Sequence, residues 1–446
     1  MAKQIKNKKP IVQTNKADVK ILRYLIAFPV LAFVIKMIVM LNVQAGGWLG
    51  ADGENYLTGV DGFLNQGFFS SEEKLTYWPA GYPLLIWPFA AISITKFLYM
   101  LSIIQSLFFA YSTYFLTKSI SKTRLSYLAF TASFVISFNP TLSLGSLTVA
   151  YETPVASCLM MALGMTITAL NRESETKIGI QIIAYIGLWF GLASFMQPRF
   201  ILVAAVFIFL CVIYSAGRKY QIKLASVGII ALMLLPALLI FRNSEAVGKV
   251  TISTNLGTTM NLGVGDETLG GYNRTGPAIK CEPSTPGEAL TDNQAVACVI
   301  KWYATNPVKT AKLAFHKSLY FWSPWSGPVA EGTSGRNPWL KISPVQNMQK
   351  TPAAVDLIQG YFGKTISYLW LLGQLALLVL GFLFLYKGGG LGKRVALLTA
   401  TPVVLAWLVT LGTIGDHRFR IPTMGLSLLL QVAGFLTIRQ KVTKVL

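Results

Sequence analysis

Charged side chains are scarce in this chain of 446 residues. Only 13% of the residues are charged and 53% are hydrophobic, whereas about a quarter of the residues in a soluble domain are charged. This deficit excludes an ordinary soluble domain and indicates an integral membrane protein. Acidic residues are rarer than basic ones, since 18 Asp and Glu stand against 39 Lys and Arg.

Histidine and cysteine are also few, with two and four residues. His316 and His417 lie far apart in the sequence and show no metal-ligand spacing, so we predict no metal site; the sequence specifies no cofactor and leaves a divalent cation open. Two cysteines lie inside apolar segments. Cys281 and Cys298 share a long polar loop, where a disulfide would contribute about 3 kcal/mol.

The basic residues lie in short clusters between apolar segments. Blocks of basic residues with interleaved aromatics are missing, which argues against a nucleic-acid partner.

Basic clusters follow every second apolar segment, as the positive-inside rule requires when both termini are cytoplasmic. The first apolar segment is long enough to remain as an anchor instead of being cleaved. Segments of spanning length, about 17 to 25 residues, are predicted at residues 21–42, 96–117, 125–142, 146–170, 178–197, 200–217, 222–242, 365–386, 395–414 and 419–438.

These segments predict an all-α polytopic protein of the plasma membrane with about ten transmembrane helices. We predict a cytoplasmic basic tail, an N-terminal transmembrane module, an extracytoplasmic loop domain and C-terminal transmembrane helices, at residues 1–20, 21–242, 243–364 and 365–446. Residues 43–95 form the first loop and residues 243–364 form the large loop, both facing outward. The first loop should hold an amphipathic helix, with Tyr56, Val60 and Phe63 on its apolar face, followed by a re-entrant or interfacial piece, "GYPLLIWPFAAI".

Two acids, Asp52 and Glu54, follow the first apolar segment in the stretch "GADGENYLTG". An ionised acid at the bilayer centre costs about 2.5 to 3.5 kcal/mol, so acids beside spans are functional or lie at the water boundary. Asp52 and Glu54 could therefore also be solvated loop acids or helix caps without a catalytic role. The nearby strip "YWPAGYPLLIWPF" suits a platform for a sugar ring or lipid chain, or an aromatic belt.

Lys36, in the outer part of the first span, is expected to snorkel to the surface.

Six motifs in chain order carry a resemblance to a family. They are the early Asp52 ahead of "WPAGYPL", then "TVAYETP", "GLASFMQPRFILVA", "STNLGTTMNLGVGDETLGGY", "IKWYATNPVKTAKLAFHKSLYFWSP" and "GDHRFRIPTMGLSLL". Together they resemble GT-C membrane glycosyltransferases, in particular bacterial relatives of protein O-mannosyltransferases and aminoarabinose transferases. Departures from the family pattern include Pro198 preceding Arg199 where the family has the reverse order, and "FRIP" for "YRLP".

The resemblance implies transfer of a sugar from a polyprenyl-phosphate donor to a hydroxyl at the extracytoplasmic face, with inversion. It implies that Asp52 is the general base and that Glu152 orients the acceptor or assists Asp52. The acceptor would be an extracytoplasmic glycan, lipid or protein. Glu54, Tyr56, Trp78 and Tyr82 are the candidate platform for the acceptor or sugar.

The leaving phosphate would need cationic partners. Guanidinium groups bind phosphate oxygens in pairs and stay charged when partly buried. Arg418 and Arg420, at the mouth of the last span, are candidates, and so are Arg199 and Lys74. The outer position of Arg418 and Arg420 runs against the usual charge bias, which favours a function over anchoring to lipid head groups or topology signalling. For Arg199 and Lys74, anchoring of this kind is favoured over a function.

Three other classes of protein stay open at this point. A transporter or flippase of lipid-linked sugars would show internal repeats and ionisable or broken spans at the midplane. An O-antigen-type polymerase or ligase would share the large outer loop rich in arginine. A non-catalytic scaffold would tolerate loss of Asp52. The position of the acids in loops favours chemistry at the membrane surface.

Overall fold

A computed structural model describes most of the chain. The described residues are 16–42, 48–49, 52–171, 178–215, 217–272, 279–283, 285, 288–323, 351–353 and 361–445. Most of the predicted basic tail, parts of the large loop and the sequence "NRT" from Asn273 lie outside them. The described elements are almost entirely helical, and the prediction of an all-α membrane protein is confirmed.

Seven helices in the described residues are long and apolar enough to span a membrane. They are α1 Lys16–Asn42, α5 Phe97–Ser121, α8 Glu152–Leu170, α11 Arg218–Val247, α15 Tyr361–Lys387, α16 Gly390–Gly412 and α17 Ile421–Val445. Each corresponds to one of the spans predicted from the sequence.

The other three predicted spans are shorter apolar helices. The segment at 125–142 divides into a 3-10 turn, Ser126–Leu128, and two helices, α6 Ala129–Phe138 and α7 Pro140–Gly145. The break occurs because a residue before proline favours extended backbone: Asn139 has φ −62° and ψ 117°, and its side chain caps α7 by accepting from Leu142 N at 3.0 Å.

Two further helices, α9 Ile180–Met196 and α10 Phe200–Ile213, have 17 and 14 residues. At 1.5 Å per residue they are about 25 and 21 Å long, less than the roughly 30 Å of a hydrocarbon core. The piece "GYPLLIWPFAAI" forms the 12-residue helix α4, Gly81–Ile92, which contains Pro88.

Helix α8 lies at the centre of the bundle, with nearly every side chain buried, and packs against α5, α9 and α17. Peripheral helices expose apolar side chains such as Leu41, Ile230 and Leu369, as lipid-facing helices do. Helices α15 and α17 approach closely at Gly381 and Gly434, where a Cβ atom would collide with the opposite backbone.

The predicted helix of the first loop is confirmed as α2, Gly53–Gln66. Its apolar face, with Tyr56, Val60 and Phe63 buried, packs against other protein elements, chiefly α4, and not against lipid as expected. A short helix, α3 Lys74–Tyr77, follows it.

The described part of the large loop contains three helices. They are α12 Leu256–Leu262, α13 Asp292–Thr305 and α14 Pro307–Trp322. The predicted disulfide between Cys281 and Cys298 is present, and it joins the chain before α13 to α13 itself.

Lys36 does not snorkel, contrary to the sequence expectation. Its side chain is 1% exposed and lies inside the bundle, where Nζ donates to Ser146 Oγ at 3.0 Å and to Ser106 O at 3.4 Å. The snorkelling prediction was wrong because the neighbouring helices supply acceptors for a buried ammonium group, which no local sequence pattern reveals.

Candidate functional site

A two-residue parallel bridge brings the first and second acids together. Strand β1, Trp48–Leu49, pairs with β2, Thr148–Val149, with Leu49 opposite Val149. Asp52 and Glu152 each follow their strand by the same number of residues, and parallel strands run in the same direction. The register therefore places both carboxylates at the same end of the bridge.

Both acids also stand at the beginning of a helix. Asp52 is the N-cap residue of α2 and Glu152 is the first residue of α8. The N-terminal end of a helix carries a partial positive charge that stabilises a carboxylate. The local backbone thus supports two negative charges in a nearly buried place.

Arg418 lies between the two carboxylates. Its Nη1 donates to Asp52 Oδ2 at 2.6 Å, and its Nε forms an ion pair with Glu152 Oε1 at 3.3 Å. The three side chains are only 7 to 14% exposed. Removing one partner of such a group would leave an uncompensated buried charge, which costs about 3 to 5 kcal/mol.

The backbone around Arg418 is itself fixed. Asp416 caps the 3-10 helix His417–Arg420 by accepting from Arg418 N at 3.0 Å. The same Oδ1 atom of Asp416 lies 3.4 Å from Nδ1 of His417. Asp416 and His417 are therefore adjacent to Arg418, and Asp416 fixes the main chain at Arg418.

A second guanidinium, Arg199, lies at the turn between α9 and α10. Its Cζ is 4.0 Å from the centre of the Phe419 ring, and Nη2 donates to the hydroxyl of Tyr151. Burial lowers the pKa of Arg199. The aromatic face compensates part of this desolvation, since a cation above a ring is attracted by the ring's negative face.

Three tyrosines pack together next to the acids and arginines of the site. Tyr56 packs edge-on against Tyr82 and Tyr151, with centroid distances of 5.0 and 6.4 Å. Tyr82 is 1% exposed; its hydroxyl donates to Gln105 at 2.9 Å and accepts from Ala150 N at 2.8 Å. Burial raises the pKa of Tyr56 well above its ordinary value, and the charge of Asp52 raises it further.

A cavity of about 760 Å³ opens above this cluster. The first loop, the turn at Arg199, the large loop and the segment before α17 all contribute to its wall. Asp52, Tyr56, Trp78, Arg199 and Arg418 line it, all of them candidates from the sequence.

Five other candidates do not line this cavity. Glu152 lies beneath it, in contact with Arg418. Arg420 is 4% exposed and donates to Trp322 O at 3.0 Å and to Gln374 Oε1 at 2.8 Å, so it joins α14 and α15 instead of facing a ligand.

The remaining three are Lys74, Glu54 and Tyr82. Lys74 begins α3 at the periphery, and Glu54 is exposed on α2. Tyr82 is buried against Tyr56 beneath the cavity, so it does not offer a surface to a ligand. Glu54 was a candidate beside Asp52 and Tyr82 was a candidate in the aromatic strip, but Glu54 is exposed outside the cavity lining and Tyr82 is buried.

Several lining residues were not recognised in the sequence. Asp292, Asn293, Asn255 and Tyr272 come from the large loop, and Gln197 precedes Pro198 at the α9–α10 turn. A signal did exist for the position of Asp292, because "TDNQ" is a capping-box pattern that marks the start of a helix. That pattern indicates a helix start without indicating what the helix faces.

The described residues contain no group of three or more His, Cys, Asp and Glu side chains arranged to hold a metal ion. Asp52 and Glu152 already share the guanidinium of Arg418. We therefore assign no step to a metal at this site.

No protein-family model and no curated protein sequence matches the chain. Solved structures, in contrast, do match the chain. The apo form of the oligosaccharyltransferase of the archaeon Archaeoglobus fulgidus superposes with a TM-score of 0.50 at 13% identity, covering 96% of this chain and 51% of that one. The chain has the GT-C fold. The predicted fold class is thereby confirmed.

Two further structures of the same archaeal enzyme are similar. The complex with zinc and sulfate gives a TM-score of 0.49 at 13% identity, with 93% of this chain and 49% of that one covered. The complex with an inhibitory peptide and a dolichol-phosphate gives 0.48 at 14% identity, with 96% and 51% covered. The chain thus spans about half the length of these neighbours, which are oligosaccharyltransferases and not mannosyl- or aminoarabinose transferases.

Proposed function

We propose that the protein is a membrane glycosyltransferase that moves a sugar from a polyprenyl-phosphate donor to a hydroxyl acceptor. One observation carries the proposal: Asp52 and two arginines, Arg199 and Arg418, line one cavity. A carboxylate can accept the proton of a hydroxyl, and guanidinium groups can bind the phosphate that leaves. The GT-C fold is compatible with this chemistry but does not establish it.

The base in this proposal is Asp52. Arg418 binds Oδ2 of Asp52, and we assign Oδ1 to the acceptor hydroxyl. The hydroxyl proton passes to Asp52 while the oxygen forms a bond to the anomeric carbon. The bond from that carbon to the phosphate oxygen breaks, its electron pair stays on the lipid phosphate, and the anomeric configuration inverts. General-base assistance of this kind contributes roughly 10² to 10⁴ in rate.

The phosphate would be bound by the guanidinium groups of Arg199 and Arg418. A guanidinium has five N–H donors, and Arg418 directs only two of its nitrogens to Asp52 and Glu152. Because these acids hold Arg418 in place, little rotamer entropy is lost when the donor binds. Glu152 is then a positioning residue that acts through Arg418 and balances its charge.

The apolar part of the wall is consistent with a lipid-linked donor. Leu262, Val409 and Ile414 line the same cavity as the charged groups. We propose that this side of the membrane is extracytoplasmic, that both termini are cytoplasmic, and that the membrane is the plasma membrane. We also propose that residues 243–364 are an extracytoplasmic loop domain, of which described residues such as Leu262 line the cavity, in line with the resemblance to the O-mannosyl- and aminoarabinose-transferase relatives.

The test is sugar transfer by the purified full-length protein in liposomes. A panel of radiolabelled polyprenyl-phosphate sugars is supplied, with extracytoplasmic glycans, lipids and proteins as acceptors, and movement of intact labelled donor between leaflets is measured in the same preparation. The proposal expects label in an acceptor and free polyprenyl phosphate in equal amounts. Movement of intact donor without transfer would show a flippase and overturn the proposal.

A further inference from the structure

The cavity has two chemically different ends. Arg199 and Arg418, beside Asp52, form what we call the arginine end. A second group of lining residues, called the Asp292 end, comes from the first loop and the large loop and consists of Tyr77, Trp78, Asn255, Tyr272, Asp292 and Asn293. Among the described lining residues of the Asp292 end there is no lysine or arginine. It therefore does not suit a second phosphate, and the ligand it takes has a different chemistry.

Aromatic rings form one part of the Asp292 end. Tyr77 and Trp78 stand nearly perpendicular, with centroids 5.2 Å apart and an interplanar angle of 86°, and both are half-buried. Tyr272, also in the lining, is 48% exposed. Rings of this kind offer an apolar face with negative charge density, which attracts the polarised C–H groups on the face of a sugar ring.

Carboxylate and amide groups form the other part. Asp292 follows the N-cap Thr291 as the first residue of α13, and its Oδ1 accepts from Gly257 N at 2.6 Å. Gly257 allows this contact because a Cβ atom there would lie 2.5 Å from Ala295 Cβ and 2.6 Å from Asp292 O. Helix α12 thus fixes the Asp292 carboxylate at the cavity wall, where it can accept hydrogen bonds from hydroxyl groups.

The two ends are close enough for one ligand to reach both. Tyr77, Asp292 and Asp52 line the same cavity of about 760 Å³. A ligand stacked on Tyr77 and Trp78 would therefore share the cavity with Asp292 and the proposed base. Both carboxylates could accept hydrogen bonds from its hydroxyl groups.

We propose that the acceptor is a carbohydrate and that the Asp292 end is its binding subsite. A sugar ring stacks on Trp78 and Tyr77, Asp292 and Asn293 bind its hydroxyl groups, and one further hydroxyl faces Asp52. This inference rests on the proposed function for the identity of the ligand as the acceptor. The Asp292 end should bind a carbohydrate even when no sugar is transferred.

Binding is tested with the purified full-length protein in lipid nanodiscs, applied to a broad glycan array and, in parallel, to an array of Ser- and Thr-containing peptides. The variants are Asp292→Asn, which keeps an oxygen for Gly257, and Trp78→Leu, which keeps apolar volume. Asp61→Asn, an exposed acid of α2 outside the cavity lining, is the charge control.

We expect the wild type and Asp61→Asn to retain at least one class of glycan. Affinity should fall about tenfold or more in Asp292→Asn, because a hydrogen bond to a charged group is lost, and about threefold or more in Trp78→Leu. Retention of peptides only, of no glycan, or of glycans with equal affinity in all variants would overturn the inference.

The same experiment keeps this inference separate from the proposed function. Glycan binding that depends on Asp292, without transfer from any donor, would overturn the glycosyltransferase proposal and leave a carbohydrate-binding site. Transfer to a peptide hydroxyl that depends on Asp52 would support the enzyme and overturn the carbohydrate subsite.

Discussion

Asp52 and Arg418 lie 366 residues apart in the chain, and their side chains meet at 2.6 Å. This contact joins the first loop to the segment that enters the last transmembrane helix. Glu152, at the beginning of α8, binds the same guanidinium. The centre of the proposed active site is therefore also a connection between three distant parts of the bundle.

Replacing Arg418 should destabilise the protein. Arg418→Met leaves Asp52 and Glu152 as two nearly buried carboxylates without a cation, and we expect a loss of about 3 to 5 kcal/mol in the free energy of unfolding. Thermal unfolding in detergent measures the change. The triple variant Arg418→Met, Asp52→Asn and Glu152→Gln should recover a large part of the loss.

The control for this prediction is Lys309→Met. Lys309 forms an ion pair with Asp266 at 2.8 Å, but the two side chains are 52 and 65% exposed. Such a pair contributes about 0 to 1 kcal/mol. Equal destabilisation by Lys309→Met and Arg418→Met would contradict the account of a buried charge cluster.

Arg199 and Arg420 should respond differently to substitution by lysine. Lysine keeps the charge but loses the planar fork, so Arg199→Lys should raise the KM for the donor about tenfold or more. Arg420→Lys should lower the thermal stability instead, because Arg420 joins Trp322 and Gln374 away from the cavity. Steady-state kinetics with varied donor and thermal unfolding of both variants give the comparison. An unchanged donor KM in Arg199→Lys would remove Arg199 from the phosphate site.

Lys317 should give the stability a dependence on pH. Its Nζ donates to Tyr303 OH at 2.8 Å and to Leu411 O at 3.1 Å, and burial lowers the pKa of Lys317 from 10.5 to about 7. The unfolded chain therefore binds more protons between pH 7 and 10.5, and the free energy of unfolding should rise with pH there, by at most about 1.4 kcal/mol per pH unit.

The measurement is thermal unfolding at pH 7 and pH 9 for the wild type and Lys317→Met. The rise should be smaller in Lys317→Met, which cannot take up a proton at this position. Lys309→Met, at an exposed position, should keep the wild-type rise. An equal rise in all three proteins would contradict a depressed pKa at Lys317.

The disulfide between Cys281 and Cys298 should stabilise the region that carries Asp292. The two cysteines are 17 residues apart, and a closed loop of this size contributes about 3 kcal/mol. Reduction should lower the protection of α13 against hydrogen exchange. The double variant Cys281→Ser and Cys298→Ser should show low protection with or without reductant, and α8 should be unaffected. Reductant sensitivity that persists in the double variant would point to another cause.

The sequence was sufficient for the fold class, because apolar length and charge bias are local properties of the chain. All seven long helices found among the described residues coincide with predicted spans. The segment at 125–142 failed as a continuous span for a reason that is also local, namely Pro140 and the extended backbone that it imposes on Asn139.

Contacts between distant residues could not be predicted in the same way. Family resemblance selected Asp52 and Arg418, but nothing in the sequence shows that they touch. Tyr82 illustrates the opposite error, since an aromatic residue in a conspicuous motif was assigned to a platform and instead binds Gln105 beneath the cavity. Whether a side chain faces the cavity depends on helix rotation and packing, which residue type alone does not determine.

The most direct test of the central claim is sugar transfer by wild-type protein, Asp52→Asn and the control Asp61→Asn, reconstituted at equal amounts and supplied with radiolabelled polyprenyl-phosphate sugars and membrane acceptors. If Asp52 is the base, Asp52→Asn should transfer sugar roughly 10² to 10⁴ times more slowly than the wild type, while Asp61→Asn is unchanged. Equal transfer by Asp52→Asn and wild type would contradict the assignment of Asp52 as the base.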